Sequence, residues 1–404
     1  MGRYLKVLTY TSLFPNKVQP DLGVFIYQRM AHFASRNTNS VVVVAPIPYA
    51  PAWINAPRWK KWTGIPFLEQ RGNLSVYHPV YPMLPLISLP FQALLMFLGS
   101  LPLVRKLHRR FQFDVIDAHF VYPDGLAGVL LGRALNLPTV ISARGTDINL
   151  YPDFWSIRPQ IRFALRKAAG TIAVCKSLGE VMSTLAGPAL DVREIGNGVD
   201  SSRFFPLDQE QARRELGLPS SAQILVAVGA LVPRKGYHIL IPAFAQIAER
   251  FPASQLHILG EGESRGELTR MIKERGLAGR VQLQGSCPNS RLRSWYAAAD
   301  VSCLASSREG WPNVLLESLA CGTPVVATGV WGTPEVITSP DFGIIVEQTI
   351  SSIAAGLETA LQKRWDREHI ADCARKRDWN LVAQEVEEYL NIVLKRTSED
   401  HLAG

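Results

Sequence analysis

The sequence predicts an α/β protein built from two doubly wound parallel-sheet domains. Three observations carry that expectation. Apolar runs of strand length alternate with helical patterns along most of the chain, which is the rhythm of strand–helix–strand units. The rhythm is interrupted by a polar, proline-containing stretch after Asp200 and restarts near residue 222. The 404 residues are also more than a single hydrophobic core usually serves.

The first series of strands falls at 6–10, 41–45, 74–79, 115–118, 139–142, 171–174 and about 192–195. The second falls at 224–229, 255–259, 281–284, 301–304, 324–327 and 343–346. The expected domains are 1–200 and 222–378, joined by a linker at 201–221, with a last amphipathic segment at 379–404. Five scattered cysteines (Cys175, Cys287, Cys303, Cys321, Cys373) form no C-x-x-C pair, which argues for a reducing compartment and against a zinc site. The N-terminus runs straight into a strand, with no apolar signal-peptide region. Charge is split unevenly: residues 1–200 carry 21 Lys and Arg against 11 Asp and Glu, whereas 201–404 carry 22 against 24. A basic first half suits an anionic partner, whether a phospholipid surface, a diphosphate-linked acceptor or nucleic acid. No recognisable nucleic-acid-binding motif supports the last.

The stretch 306–326, Ser-Ser-Arg-Glu-Gly-Trp-Pro-Asn-Val-Leu-Leu-Glu-Ser-Leu-Ala-Cys-Gly-Thr-Pro-Val-Val, is the most informative in the chain. Pro312 marks a helix start, so Glu309 sits on the loop before the helix and Glu317 about one turn inside it. Backbone N–H groups of the first turn, at Asn313, Val314 and Leu315, are a ready anion site. A phosphate on the helix end, with a carboxylate on either side for sugar hydroxyls, is chemistry suited to a nucleotide sugar. The spacing and context resemble the E-x7-E signature of family 4 retaining glycosyltransferases. The resemblance covers most of the chain and is strongest over 224–346. It implies the GT-B architecture, two Rossmann-like domains facing a central cleft. It also implies that the last helix crosses back to the first domain, and that Glu309 contacts the donor sugar and Glu317 the ribose.

Further motifs fit the resemblance. Arg234 and Lys235, on the loop after strand 224–229, read as a diphosphate clamp. Lys235 matches the family lysine, while Ala230 stands where the family often has arginine. Gly260 and Gly262 end the next strand and allow close backbone approach to the nucleotide or form a turn. Gly23, before the first helix, resembles the family's first-domain glycine loop, which often carries two glycines. His119, at a strand's carboxyl end, matches the histidine that faces the donor sugar, and Asp124 reads as a helix cap. Arg144 and Asp147 sit on another such turn, facing the cleft or paired with each other. Asn197-Gly198 reads as a structural turn. The chain has no D-x-D pair, and neither metal nor cofactor is expected, because cations and a helix end serve the diphosphate.

No charged residue occurs between Tyr81 and Val104, and a basic run follows from Arg105 to Arg110. Prolines at 82, 85, 90 and 102 count against a spanning helix; an interfacial helix or a buried domain helix remain. Trp53, Trp59, Lys60, Lys61 and Trp62 interleave aromatics with cations, as headgroup-level residues do. The expectation is a retaining hexosyltransferase that takes a nucleoside-diphosphate sugar to a lipid-linked or polysaccharide acceptor. It would be cytoplasmic and peripheral on the inner face of the plasma membrane, with an anionic membrane surface rather than nucleic acid as partner. A sugar-nucleotide epimerase of the same fold, or a non-catalytic nucleotide-sugar-binding subunit, is the alternative.

Overall fold

The computed structural model describes residues 4–36, 39–49, 61–83 and 88–403. Trp53, Trp59, Lys60, Pro85 and the side chain of Lys61 lie outside the described residues. The chain forms two compact units, one of Met1–Asn197 with Trp379–Gly404 and one of Gly198–Asp378.

In the first unit an eight-stranded sheet has β1 (Lys6–Tyr10) at its middle. On one side lie β2 (Ser40–Val44), β5 (Leu74–Tyr77) and β4 (Leu68–Arg71). On the other lie β7 (Val115–His119), β8 (Thr139–Ala143), β9 (Gly170–Ala173) and β10 (Val192–Glu194). Pairing is parallel except between β4 and β5. A separate pair joins β3 (Ile47–Tyr49) to β6 (Val80–Pro82). Every strand position expected from the sequence is occupied; β3, β4 and β6 are additional. β4 reads Leu-Glu-Gln-Arg with an exposed and half-buried alternation, so an edge strand of this kind leaves no apolar run to find.

Strand order departs in both directions from the β1–β7 boundary. Open parallel sheets bind ligands outside the carboxyl ends of the strands at such a switch point, which here means the loop after Tyr10 and the turn after His119. Helices cover both faces. α1 (Val24–Ala34) packs Ile26, Met30 and Phe33 on one face. α2 (Gln92–Phe111) and α3 (Leu126–Leu135) cover the other through Met96, Val104, Ala127 and Leu131. α4 (Arg158–Lys167) packs beside α3 and buries Ile161, Ala164 and Leu165.

The C-terminal helix, Trp379–Ala403, belongs to this first unit. Trp379, Val382, Val386, Leu390 and Val393 join the same core as α1. Glu387 accepts from Asn39 Nδ2 at 2.7 Å and pairs with Arg36 Nε at 3.1 Å. Tyr389 Oη accepts from the Thr171 N–H at 3.0 Å. Leu390 is 0 % exposed, so Leu390→Ala is expected to cost about 3 kcal/mol through lost burial and a residual cavity. Urea unfolding followed by circular dichroism would read this as a lower midpoint with unchanged slope.

The second unit is an all-parallel six-stranded sheet in the order β13 (Val281–Gly285), β12 (Ser254–Leu259), β11 (Gln223–Val228), β14 (Val301–Leu304), β15 (Val325–Thr328), β16 (Gly343–Val346). Its switch point falls between β11 and β14. The loops that leave those two strands, 229–236 and 305–312, therefore emerge side by side. α5 (Tyr237–Ala248) follows the first loop and α6 (Asn313–Ala320) the second. The sheet is covered on one face by Phe244, Ile247 and Leu357 and on the other by Trp295, Tyr296, Leu315 and Leu319.

Candidate functional site

The two switch-point loops of the second unit are locked together by backbone contacts. Ser307 N–H donates to the Arg234 carbonyl at 2.9 Å. Gly236 sits at φ 69°, and a Cβ there would lie 2.0 Å from the Ala305 carbonyl oxygen; no other residue type allows this approach. The consequence is electrostatic. Lys235 Nζ donates to Glu309 Oε1 at 2.6 Å, and Arg234 Nη1 lies 3.6 Å from Glu309 Oε2 while donating to the Arg308 carbonyl at 2.8 Å. Glu309 is 8 % exposed. Two adjacent cations thus close around a carboxylate 74 positions from Lys235, open enough for Arg234 to stay 43 % exposed at its side chain.

α6 begins at Asn313, with Pro312 as its N-cap residue. The Asn313 and Leu315 N–H groups donate to the Trp311 and Pro312 carbonyls at 3.0 Å each. Two of the three donors expected to face an anion therefore already have backbone partners here. Glu317 lies one turn inside α6, half-buried. Burial pushes its carboxyl up to about 7, against the opposing influence of the Tyr296 hydroxyl, which donates to Oε2 at 3.3 Å, and of Arg203. Trp311, between the carboxylates in sequence, has the Arg377 guanidinium over its ring at 5.5 Å. Gly260 and Gly262 pack against the 229–231 loop, their Cβ positions 1.9 Å from the Gly229 carbonyl oxygen and 2.3 Å from that of Leu231. Close approach is real at both, and the observed partner is the clamp loop itself.

In the first unit, His119 is the last residue of β7 and is 0 % exposed. Its Nδ1 accepts from Arg144 Nη2 at 2.6 Å, and its Nε2 lies 3.2 Å from Asp117 Oδ2. Burial, against the pull of Asp117, lowers the imidazole to about 4, so the ring is neutral at pH 7. Asp117 is held below the usual carboxylate range: burial opposes ionisation, and His119 and Arg29 together outweigh it. Arg29 of α1 reaches Asp117 Oδ2 at 3.6 Å and donates to Ser142 Oγ at 3.1 Å. Arg144 also donates to Asn197 Oδ1 at 3.0 Å and stacks over Phe25 at 5.5 Å.

The Asp147 carboxylate meets Arg144 at its backbone N–H rather than at its guanidinium. Asp147 binds the backbone: it accepts from the N–H groups of Gly145 and Val121 at 2.8 Å each and of Arg144 at 3.1 Å. Asp124 does not cap α3. Its buried carboxyl accepts from the Ser12 N–H and from Ser12 Oγ at 3.2 Å, tying the β1–α1 loop to the switch point; burial pushes it up to about 7. That loop ends at Gly23, the N-cap residue of α1, with φ 64° and a Cβ position 2.2 Å from the Leu13 carbonyl oxygen.

Sequence reading missed Asp117, Arg29, Tyr296 and the tie made by Asn197. Asp117 was within reach, because residues two apart on a strand share a face, so Asp117 and His119 belong together. Arg29 interrupts the apolar stripe of α1. Tyr296 is distant in sequence from Glu317 and leaves no local signal. Among the described residues, no group of three or more His, Cys, Asp or Glu is placed to hold a metal ion.

Two family models match the chain. "Glycosyltransferase Family 4" covers residues 63–203 and "Glycosyl transferases group 1" covers residues 208–377. A Bacillus subtilis (strain 168) protein assigned to teichuronic acid biosynthesis as glycosyltransferase TuaC is 27 % identical over 91 % of this chain and 92 % of its own length. A D-inositol 3-phosphate glycosyltransferase of Thermobispora bispora is 30 % identical over 70 % of both chains. The crystal structure of Anabaena HepE in complex with UDP superposes with a TM-score of 0.70 at 21 % identity, covering 96 % of this chain and all of that one, a likeness that speaks to the fold. With two Rossmann-like parallel-sheet domains that match GT-B structures and family matches along nearly its whole length, the chain belongs to the family 4 glycosyltransferases.

Proposed function

We propose that the protein is a retaining hexosyltransferase, moving a sugar from a nucleoside-diphosphate donor to a hydroxyl of a lipid-linked or polysaccharide acceptor. The observation that carries this reading is the meeting of Lys235, Arg234 and Glu309 at the switch point of the second sheet. Lys235 and Arg234 would take the diphosphate and stabilise it as leaving group. The Val314 N–H, flanked by those of Asn313 and Leu315, would add the helix end. Gly260 and Gly262 keep the nucleotide side of the loop thin. Glu309 would hold sugar hydroxyls and Glu317 the ribose diol.

In the first unit, His119 is proposed to meet the sugar and Gly23 to let backbone approach it. That role requires His119 to exchange one of its two present partners for a hydroxyl. Arg144 and Asp147 would shape the surrounding turn. No side chain in the clamp is placed as a nucleophile, which favours same-face displacement assisted by the departing diphosphate, with water excluded. Relatives named for teichuronic acid biosynthesis and for phosphatidylinositol monomannoside mannosyl transfer favour a polysaccharide or lipid-linked acceptor, and the basic first half favours a cytoplasmic enzyme held at an anionic membrane face.

The test is a panel of UDP-, GDP- and ADP-sugars added without metal, reading thermal stabilisation, which grows as RT ln(1 + [L]/Kd). A selective shift that Lys235→Ala removes is the expected result. Equal stabilisation of wild type and Lys235→Ala would overturn the clamp. Release of donor epimer without acceptor would favour the epimerase alternative, and donor binding without turnover the binding subunit.

A further inference from the structure

The outer face of α2 has no cover among the described residues of the first unit. Ala93, Met96, Ser100, Val104 and Leu107 form its buried stripe. The opposite stripe carries Phe91, Leu94 and Leu98, which are 60 %, 47 % and 54 % exposed. Pro102, Arg105 and Arg109 continue that stripe by steps of three and four residues and are exposed as well. One helix face is thus apolar over its first half and cationic over its second. The helix is held firmly underneath: Tyr10 Oη bonds to the Met96 carbonyl and Ser100 Oγ, and Gly99 lets β6 cross so closely that a Cβ would lie 2.7 Å from the Val80 carbonyl oxygen.

A second element adjoins its start. Gln160 Nε2 of α4 donates to the Pro90 carbonyl at 2.8 Å. Just before α4, Trp155 is 87 % exposed, and Arg158 and Arg162 are exposed on α4 itself. Neither segment carries an acidic residue: there is no Asp or Glu from 70 to 113, nor from 154 to 179. Among the described residues no helix is long and apolar enough to cross a membrane. Exposed apolar side chains bordered by cations, on a helix anchored along its other face, match an interfacial helix lying in the headgroup region. The all-positive rim selects an anionic bilayer, because each Lys or Arg near such a surface contributes attraction that an acidic neighbour would cancel.

We propose that the outer face of α2, with the Trp155–Arg162 segment beside its start, is the surface that docks the protein on anionic lipid. This deepens the peripheral part of the reading above and assigns it to named residues. The test is co-sedimentation of the full chain with phosphatidylcholine vesicles, with or without about 30 % phosphatidylglycerol, in the absence of donor and acceptor. Binding to the anionic vesicles alone is expected. Leu94→Glu/Leu98→Glu and Arg105→Glu/Arg109→Glu should each weaken it by about tenfold or more, while Lys273→Glu/Arg275→Glu, which changes the net charge as much as the arginine pair but on the other unit, should leave it unchanged. Thermal melting and the donor-induced shift of each variant confirm that it folds and keeps its nucleotide site. Equal binding to neutral vesicles, no binding, or wild-type binding by both double variants would overturn the proposal. So would a concentration-dependent dimer, seen by sedimentation without lipid, that Leu94→Glu/Leu98→Glu dissolves. Because no sugar transfer is measured, failure here leaves the transferase reading standing, and failure of the donor panel leaves this one standing.

Discussion

Glu309→Ala is expected to abolish sugar transfer while binding of the bare nucleoside diphosphate becomes tighter, by roughly fivefold. The two halves of this result have separate causes. Glu309 now neutralises Lys235 at 2.6 Å and Arg234 at 3.6 Å. A diphosphate arriving at those cations competes with the carboxylate, so removing it frees both for the ligand. The size stays near 1 kcal/mol because the Arg234 side chain is 43 % exposed and screened by water. Transfer fails for a different reason: the sugar loses the acceptor of its hydroxyl hydrogen bonds and its alignment with the leaving group. Isothermal titration with UDP or GDP, beside an initial-rate assay, separates the effects. Lys235→Ala should do the opposite, losing nucleotide affinity and leaving Glu309 half-paired. A Glu309→Ala/Lys235→Ala double variant then gives the coupling between them. Retained transfer in Glu309→Ala would end the proposed role of this residue.

What the sequence discloses about this site follows from how local each contact is. Strands are legible because parallel sheets buried on both faces read as continuous apolar runs; β1, β2, β8 and β15 are of this kind. Glu309 and Glu317 are legible because a loop, a proline and a helix lie in one short stretch. The pairing of Lys235 with Glu309 is not written locally; it arises because β11 and β14 are neighbours at the switch point, a fact of strand order. The same limit hides Tyr296 from Glu317. It also explains Asp124: a helix cap is the local expectation, but the Ser12 backbone, delivered by the adjacent β1, takes the carboxyl instead. For His119 the surrounding motif shows where the residue sits, whereas its burial between Arg144 and Asp117 depends on β8 beside β7.

Glu317 makes the donor affinity depend on pH, and the sign follows from its surroundings. Burial holds the carboxyl at about 7 rather than its ordinary 4.5. A ribose diol donates hydrogen bonds, and a carboxylate accepts them far better than a carboxylic acid, so the donor binds the ionised form. Binding therefore draws the proton off, and affinity rises with pH until the group is fully ionised without the donor. With a free-state value about 7, only about one site in eleven is ionised at pH 6, so the donor is expected to bind about tenfold more weakly there than at pH 8. Titrations in buffers of different ionisation enthalpy should show a proton released on binding near pH 6.5 and none at pH 8.5. The linkage acts on the fold with the opposite sense. A carboxyl raised in the folded state favours folding most below its unfolded value and loses that contribution as pH rises through about 7. Glu317→Gln should accordingly melt like the wild type near pH 4, melt higher than it at pH 8, and bind the donor weakly with no pH dependence between 6 and 8. A wild-type affinity that stays flat across that range would remove Glu317 from the ribose, because a carboxylate in contact with the diol cannot titrate without changing the binding.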